Sequence, residues 1–236
     1  MRNKLNSIPE AIQAIKNGEI IIVVDDENRE NEGDFVCASS AIDSEKINFM
    51  TKEGRGLICC SLESSRCEDL DLELMVGKNT DIYGTSFTVS VDLKGNGVTT
   101  GISASDRAKT IKALVDDKID ASNFSKPGHI FPLRAIDGGV LRRAGHTEAS
   151  VDLPKLAGLF PSGVICEILN DDGSMARLDN LFKVADKHEL VIISIKDLIK
   201  YKLDIESLIE EKETVDLPTE YGNFKLISFE QKDTKD

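Results

Sequence analysis

The sequence predicts an α/β protein of the α+β type: a mixed parallel and antiparallel sheet with helices packed on it, in a single large domain. Three observations predict it. Ile20-Ile-Ile-Val-Val24 is an unbroken β-branched run, as in a strand buried on both faces. Phe87 to Leu93 alternates apolar and polar residues, as in a half-buried strand with antiparallel pairing. Segments with helical spacing and their own start and stop signals lie between such strands.

The elements follow in order. Ser7-Ile-Pro-Glu10 fits a capping box with Pro9 in the first turn; Ala11, Ile12 and Ile15 keep helical spacing until Asn17-Gly18. The Ile20–Val24 strand comes next, then an acidic loop, then a strand Phe35–Ala38 after a turn at Gly33. Asp43 caps a helix that turns Ile47 and Met50 inward and ends near Gly54. Leu57–Cys60 is a strand. Residues 64–84 are irregular, with Leu70, Leu72, Leu74 and Met75 covering core and a loop over 77–84. A turn at 94–97 separates the alternating strand from a helix carrying Ala108, Ile111, Leu114 and Val115, whose start reads as an anion seat or, equally, as plain capping by Ser105. Lys126–Pro132 reads as a rigid, glycine-hinged loop before a strand at 133–136. After the Asp137-Gly-Gly139 turn, a helix follows Arg142–Glu148 and breaks at Pro154. Val164–Leu169 is a strand with Glu167 in its middle; a helix at 179–188, a strand at 191–195 and a helix from Lys196 to about Lys202 complete the domain.

Composition narrows the function. The net charge of −13 argues against a general nucleic-acid or anionic-membrane surface. No apolar run approaches the roughly 18 residues that cross a membrane, and the N-terminus lacks a signal-peptide core. Five cysteines with no CxxC pair fit a reducing cytoplasm and buried, inert thiols.

The chemistry concentrates in Asp25-Asp-Glu-Asn-Arg-Glu-Asn-Glu-Gly-Asp34, which places six carboxylates and Arg29 at the end of the buried strand. Charges this dense must raise their pKa, face water or share a cation, and carboxylate oxygens suit magnesium or manganese. A solvated acidic turn is the plain alternative; the embedded arginine weakens it. Arg142-Arg-Ala-Gly-His-Thr147 suits a phosphate through an arginine fork, backbone N–H groups and Thr147, although a surface arginine pair fits equally well. His146 within it is a candidate metal ligand or proton carrier. Glu167, alone in an apolar strand, is a general-base candidate unless its side chain meets water. His129 stands in the Pro-Gly-His loop, and His188 at a helix end reads as structural. Together these suggest a metal-assisted enzyme acting on a phosphorylated, hydroxyl-rich small molecule.

Six motifs then carry a resemblance: 25–34, Tyr83-Gly-Thr-Ser-Phe-Thr88, Gly97–Ala108, Pro127-Gly-His-Ile-Phe-Pro132, Arg143-Ala-Gly-His-Thr-Glu148 and Cys166-Glu167. In this order, over roughly residues 8–200, the chain resembles 3,4-dihydroxy-2-butanone 4-phosphate synthase. The resemblance implies a riboflavin-pathway lyase that converts D-ribulose 5-phosphate to L-3,4-dihydroxy-2-butanone 4-phosphate and formate. It implies magnesium, with manganese a plausible substitute, and a homodimer with sites near the subunit interface. Carried over by motif, Glu30 and His146 hold the metal. Arg29, Glu30, Asp34, Arg143, Ala144, Gly145, His146, Thr147 and Glu167 hold the substrate, with Arg143 and Thr147 on its phosphate. His129, Glu167 and Asp34 serve turnover, and Cys59 and Glu32 line the site. The chemistry suits these residues: a metal bridging ketone and hydroxyl acidifies the neighbouring C–H and stabilises an enediolate, and a carboxylate takes the proton.

The synthase domain is expected over 1–202. Residues 203–236 read as an acidic linker, charged and helix-like or disordered over 206–213, followed by a stretch from Leu217 to Leu226 that resembles the opening of GTP cyclohydrolase II. No cysteine follows Cys166 to bind that enzyme's zinc, so no such activity is expected of the tail. Two further readings remain from the residues. One is a phosphatase with Asp25 as nucleophile, which lacks an Asp-x-Asp pair because Glu27 holds the second position; the other is a non-catalytic sugar-phosphate-binding module.

Overall fold

A computed structural model describes residues 4–205 and 209–231. The chain forms two compact units, 1–199 and 200–236. Among the described residues of the first, seven strands make one mixed sheet: β1 Ile21–Val24, β2 Gly33–Ala38, β3 Cys59–Leu62, β4 Val91–Leu93, β5 Phe124–Arg134, β6 Ser162–Glu167 and β7 Ile192–Ser194. Their order is β4-β5-β3-β6-β2-β1-β7. Helices α1 Ile8–Lys16, α2 Ser44–Phe49, α3 Ser64–Asp69, α4 Ala104–Leu114, α5 His146–Leu156, α6 Leu178–His188 and α7 Ile195–Ile205 complete the series.

The β-branched run sits where its composition predicts. All four residues of β1 are buried, between β2 on one side (antiparallel) and β7 on the other (parallel). The Ser7–Glu10 capping box forms, with the Ser7 N–H donating to Glu10 at 2.7 Å. Gly18 at φ +78° ends the turn in a backbone shape that glycine adopts without strain. Asp43 caps α2, and Ile47 and Met50 are buried beneath it.

Other elements depart from expectation for identifiable reasons. Gly33 opens β2 instead of making a turn: a Cβ there would meet the Leu181 side chain at 2.4 Å, so its role is close packing under α6. The third strand begins at Cys59, because the Leu57 N–H turns aside to donate to Glu167. Within 64–84, α3 forms; Leu70 and Leu72 enter the core while Leu74 and Met75 stay exposed.

The alternating segment is buried on both faces toward its end. Val91 and Leu93 are buried as the pattern predicts, but Thr88, Ser90 and Asp92 are buried too, because each finds a partner on β5: Thr88 donates to the Pro132 carbonyl, Ser90 accepts from the Gly128 N–H, and Asp92 accepts from His129. Val91–Leu93 forms the strand there, antiparallel as predicted, and Phe87 and Thr88 add isolated antiparallel bridges to Leu133 and Leu74. The Lys126–Pro132 loop is part of β5. Its irregularity appears as a register shift against β4, with Gly128 so close to the Val91 backbone that a Cβ would have no room.

Ser103, not Ser105, caps α4 by accepting from the Asp106 N–H. Pro154 does not break α5, which runs two residues further to Leu156. Glu167 closes β6 instead of standing mid-strand, since Ile168 and Leu169 donate to the Gly33 and Gly54 carbonyls outside the ladder.

In the second unit, β8 Ile209–Thr219 and β9 Gly222–Gln231 form an antiparallel hairpin. The helix-like or disordered reading of 206–213 is therefore corrected over 209–213, which belong to β8; 206–208 lie outside the described residues.

Candidate active site

The site is built on the sheet where β1, β2, β6 and β3 lie side by side. Asp34 and Glu167 are register partners on β2 and β6, and Cys59 and Ile165 are partners on β3 and β6. The acidic loop after β1 closes one side, and the N-terminus of α5 closes another. Arg29, Glu30, Glu32, Asp34, Cys59, Arg143, His146, Thr147 and Glu167 thus line one cavity of about 130 Å³. Thr85, Phe87, Leu133 and Ile165 complete its wall.

Asp25 shapes the acidic loop. Its carboxylate accepts the Glu30 N–H (3.0 Å), the Glu32 N–H (2.8 Å) and Arg29 Nη1 (3.1 Å). Arg177 donates to the Glu30 and Asn31 carbonyls from outside. Arg29 in turn holds Glu30 at 2.9 Å and lies under the Tyr83 ring at 5.2 Å, while the Tyr83 hydroxyl donates to the Arg29 carbonyl. The loop is a folded object, not a solvated run of acids.

His146 is buried, and its Nε2 meets the Val23 carbonyl at 3.2 Å. A carbonyl only accepts, so Nε2 carries the hydrogen and Nδ1 faces Glu30 Oε2 at 3.6 Å. Burial lowers the His146 pKa, but Asp34, Glu30 and Asp25 outweigh it and lift it to about 9. Asp34 is raised to about 7, chiefly by burial, with Glu167, Glu30 and Glu32 adding repulsion. Burial and then Glu30 raise Glu32. Burial pushes Glu30 up too, yet His146 and Arg29 leave it below its usual value. Such a site holds more negative charge than its arginines neutralise. One oxygen each from Asp25 and Glu30 and one His146 nitrogen lie within 4.8 Å of one another. This oxygen-and-imidazole donor set fits a hard divalent cation. Asp25 already accepts three hydrogen bonds whereas Glu30 accepts one from Arg29, so Glu30, with His146 once it has lost its Nδ1 proton, is freer to donate a lone pair than Asp25.

Glu167 is fixed from behind: the Leu57 N–H donates to its Oε2 at 2.8 Å, and a Cβ on Gly56 would lie 2.4 Å from the same oxygen. Burial drives the Cys59 thiol well above its usual pKa, so it lines the cavity as a neutral group. Thr147 and Arg143 flank the first turn of α5, a favourable seat for an anion. Gly145 is the N-cap of α5, where a Cβ would strike Arg143 and Glu148; Ala144 and Gly145 shape this turn without lining the cavity.

His129 is not brought into the cavity. It lies four residues before Leu133 on β5, roughly 13 Å along an extended strand. Its Nδ1 meets Asp92 Oδ2 at 2.6 Å and its backbone N–H donates to Asp92 Oδ1, so Nε2 is the ring nitrogen Asp92 does not engage, on a half-exposed ring. Asp92, Arg177 and Glu148 were given no site role by the sequence, and Asp25 entered it as a loop carboxylate and a phosphatase nucleophile, not as the acceptor that shapes the loop. The acid standing among the small residues of Ser90–Leu93 was the available signal for Asp92; for Arg177 there was none.

Fold and site together define a mixed α/β protein with a candidate metal site beside a helix N-terminus in one carboxylate-lined cavity. The family model for 3,4-dihydroxy-2-butanone 4-phosphate synthase matches residues 9–201, and the chain belongs to this family. It is similar to the riboflavin biosynthesis protein RibBA of Cytophaga hutchinsonii, at 61% identity over 97% of the chain and 56% of that protein. It is also similar to that of Aquifex aeolicus, at 56% identity over 97% of the chain and 57% of that protein. The chain thus spans a little over half the length of these relatives. Among solved structures, it matches RibBX, a two-domain 3,4-dihydroxy-2-butanone 4-phosphate synthase from A. baumannii, with a TM-score of 0.89 at 44% identity, over 98% of the chain and 68% of that one. A 3,4-dihydroxy-2-butanone 4-phosphate synthase in complex with two magnesium ions matches with a TM-score of 0.82 at 43% identity, over 85% of the chain and 98% of that one.

Proposed function

We propose that the chain is a lyase of riboflavin biosynthesis that converts D-ribulose 5-phosphate to L-3,4-dihydroxy-2-butanone 4-phosphate and formate. The observation that carries this reading is the meeting, in one cavity, of Glu30 and His146 with Thr147, Arg143 and Glu167. Glu30 and His146 would hold magnesium, with manganese a plausible substitute; the bound ion would supply Lewis-acid polarisation of the ketone and its neighbouring hydroxyl. Arg143, Thr147 and the α5 N-terminus hold the phosphate, a group that does not react and so anchors the rest. Arg29 keeps Glu30 in place and screens the carboxylates. Glu167, with one oxygen fixed by the Leu57 N–H, keeps its other oxygen for a proton on carbon. Asp34, whose pKa lies near 7, moves a second proton beside it.

His129 serves turnover from outside the cavity of its own chain, which fits a homodimer with sites near the subunit interface. The five cysteines are buried and free, as suits a cytoplasmic enzyme; no described helix is long and apolar enough to cross a membrane. Residues 1–202 form the synthase domain, and 203–236 are an acidic linker and the start of a GTP cyclohydrolase II-like segment without activity. The apolar side of its hairpin, with Val215, Leu217, Phe224 and Leu226 exposed, supports a sheet awaiting further partners.

Phosphorus NMR tests the reading. Ribulose 5-phosphate with magnesium and this chain should give a new phosphomonoester signal. A rise in orthophosphate alone would favour the phosphatase, and an unchanged spectrum the binding module.

A further inference from the structure

Arg143 is held from two sides. Its Nε and Nη2 donate to the Tyr83 carbonyl at 3.1 and 3.0 Å, and Nη2 also donates to Thr85 Oγ1 at 3.1 Å. Nη1 donates to Glu148 Oε2 at 2.6 Å. Both Nη2 hydrogens and the Nε hydrogen are therefore engaged by the Tyr83–Thr85 turn, and one Nη1 hydrogen by Glu148. The other Nη1 hydrogen is left for a ligand. A two-pronged grip on phosphate, which adjacent arginines suggest, is not the pose the structure holds.

Glu148 sits in the first turn of α5 and is 1% exposed. It does not line the cavity. Its second oxygen accepts the Ile136 N–H at 3.1 Å, so both oxygens have fixed partners. The carboxylate is thus pinned by backbone at one end and presents a buried charge to Arg143 at the other. A Cβ at Gly145 would lie 2.4 Å from Arg143 Nη1 and 2.8 Å from Glu148 Oε2, so the pair also needs the glycine beside it.

We propose that Glu148 is a positioning residue for substrate phosphate: it sets the orientation of Arg143 that directs the remaining Nη1 hydrogen into the cavity. The inference deepens the synthase reading and rests on it. Glu148 touches no substrate atom. It acts through Arg143, so its effect belongs in substrate affinity and should vanish when Arg143 is absent.

The test is a double-mutant cycle with Glu148→Gln and Arg143→Ala in the full chain. Glutamine keeps the shape and the acceptor for Ile136 but loses the charge. E148Q should raise KM for ribulose 5-phosphate roughly tenfold with kcat nearly unchanged, since misplacing an anchoring group weakens binding first. In the R143A background the same change should alter KM by less than about twofold, because the two residues act as one unit. An unchanged KM in E148Q, with the parent chain active, overturns the proposal; so does an equal effect in both backgrounds, which marks a merely structural role. If E148Q does not fold, Glu148→Asp, which keeps the charge and shortens the arm, enters the same cycle. If the parent chain releases no formate, the synthase reading fails by itself. The cycle is then read in the calorimetric affinity for inorganic phosphate, where the same coupling supports the inference and its absence, or no binding, overturns it.

Discussion

Asp34 on β2 and Glu167 on β6 face each other across the sheet as antiparallel register partners. Cross-strand neighbours on one face stand about 5 Å apart, too close for two bare carboxylates in a dry setting. The structure answers with burial that raises Asp34 to about 7 and with the Leu57 N–H, which binds an oxygen of Glu167. The two acids are neighbours in unlike environments: Asp34 is dry and pushed up to about 7, whereas Glu167 has a backbone donor on one oxygen.

Glu167→Gln should lower formate release by about 10²-fold or more, the scale of a lost general base. Binding of ribulose 5-phosphate, followed by calorimetry, should change little. Loss of binding with turnover per bound substrate preserved would assign Glu167 to the substrate's grip instead.

Gly56→Ala should both destabilise the fold and lower activity. The added Cβ meets the Glu167 backbone carbonyl at 2.6 Å and its nitrogen at 2.7 Å, atoms that cannot swing away. The penalty is about 1–3 kcal/mol, typical of overpacking. Thermal melts check the stability, and a parent-like melting temperature would show that the 54–57 segment has room to shift.

His146 is raised to about 9 from 6.5, so its protonated form stabilises the fold fully below pH 6.5, and that contribution fades as pH rises through 9. Asp34, raised from 3.8 to about 7, acts with the same sign: its contribution is complete below 3.8 and is lost through 7. Metal-free protein should therefore lose stability between pH 7 and 9. Glu53, depressed to about 2 by Lys187 and then His188, has the opposite sign and protects the fold until strong acid. Since a ligating imidazole must be neutral, magnesium affinity should rise with pH over the 7–9 interval and binding should release protons. Urea melts and calorimetry in buffers of different ionisation enthalpy check this. An affinity flat from pH 7 to 9 would exclude His146 as a ligand.

Asp92→Asn should reproduce the loss expected of His129→Asn, because the 2.6 Å contact fixes which His129 nitrogen Asp92 engages. Both should lower kcat by about 10²-fold, the scale of a lost proton carrier, with KM nearly intact. Full activity in D92N beside an inactive H129N would show that the histidine needs no orienting acid.

The buried strand, the acidic loop and the Arg143–Thr147 turn were legible because each is a local pattern: a β-branched run, a charge density, a glycine at a helix entry. What escaped was long-range pairing. The alternation from Phe87 to Leu93 shows a strand but not which face is dry, and β5 supplied acceptors and donors that drew Thr88, Ser90 and Asp92 inward. Glu167 read as mid-strand because nothing local shows that Gly33 and Gly54 take over the next backbone groups. Glu148 stood only as the last residue of a motif with no role of its own, since its partners lie twelve residues upstream at Ile136 and across the turn at Arg143.

The central claim is that Glu30 and His146 hold a divalent metal required for expulsion of one carbon of a pentulose phosphate as formate. Formate released from ribulose 5-phosphate, measured with magnesium and after EDTA treatment, tests it most directly. The account predicts formate with magnesium, none after EDTA, and recovery when the metal is restored. Folded, magnesium-loaded protein that releases no formate, or release that is indifferent to EDTA, would contradict it.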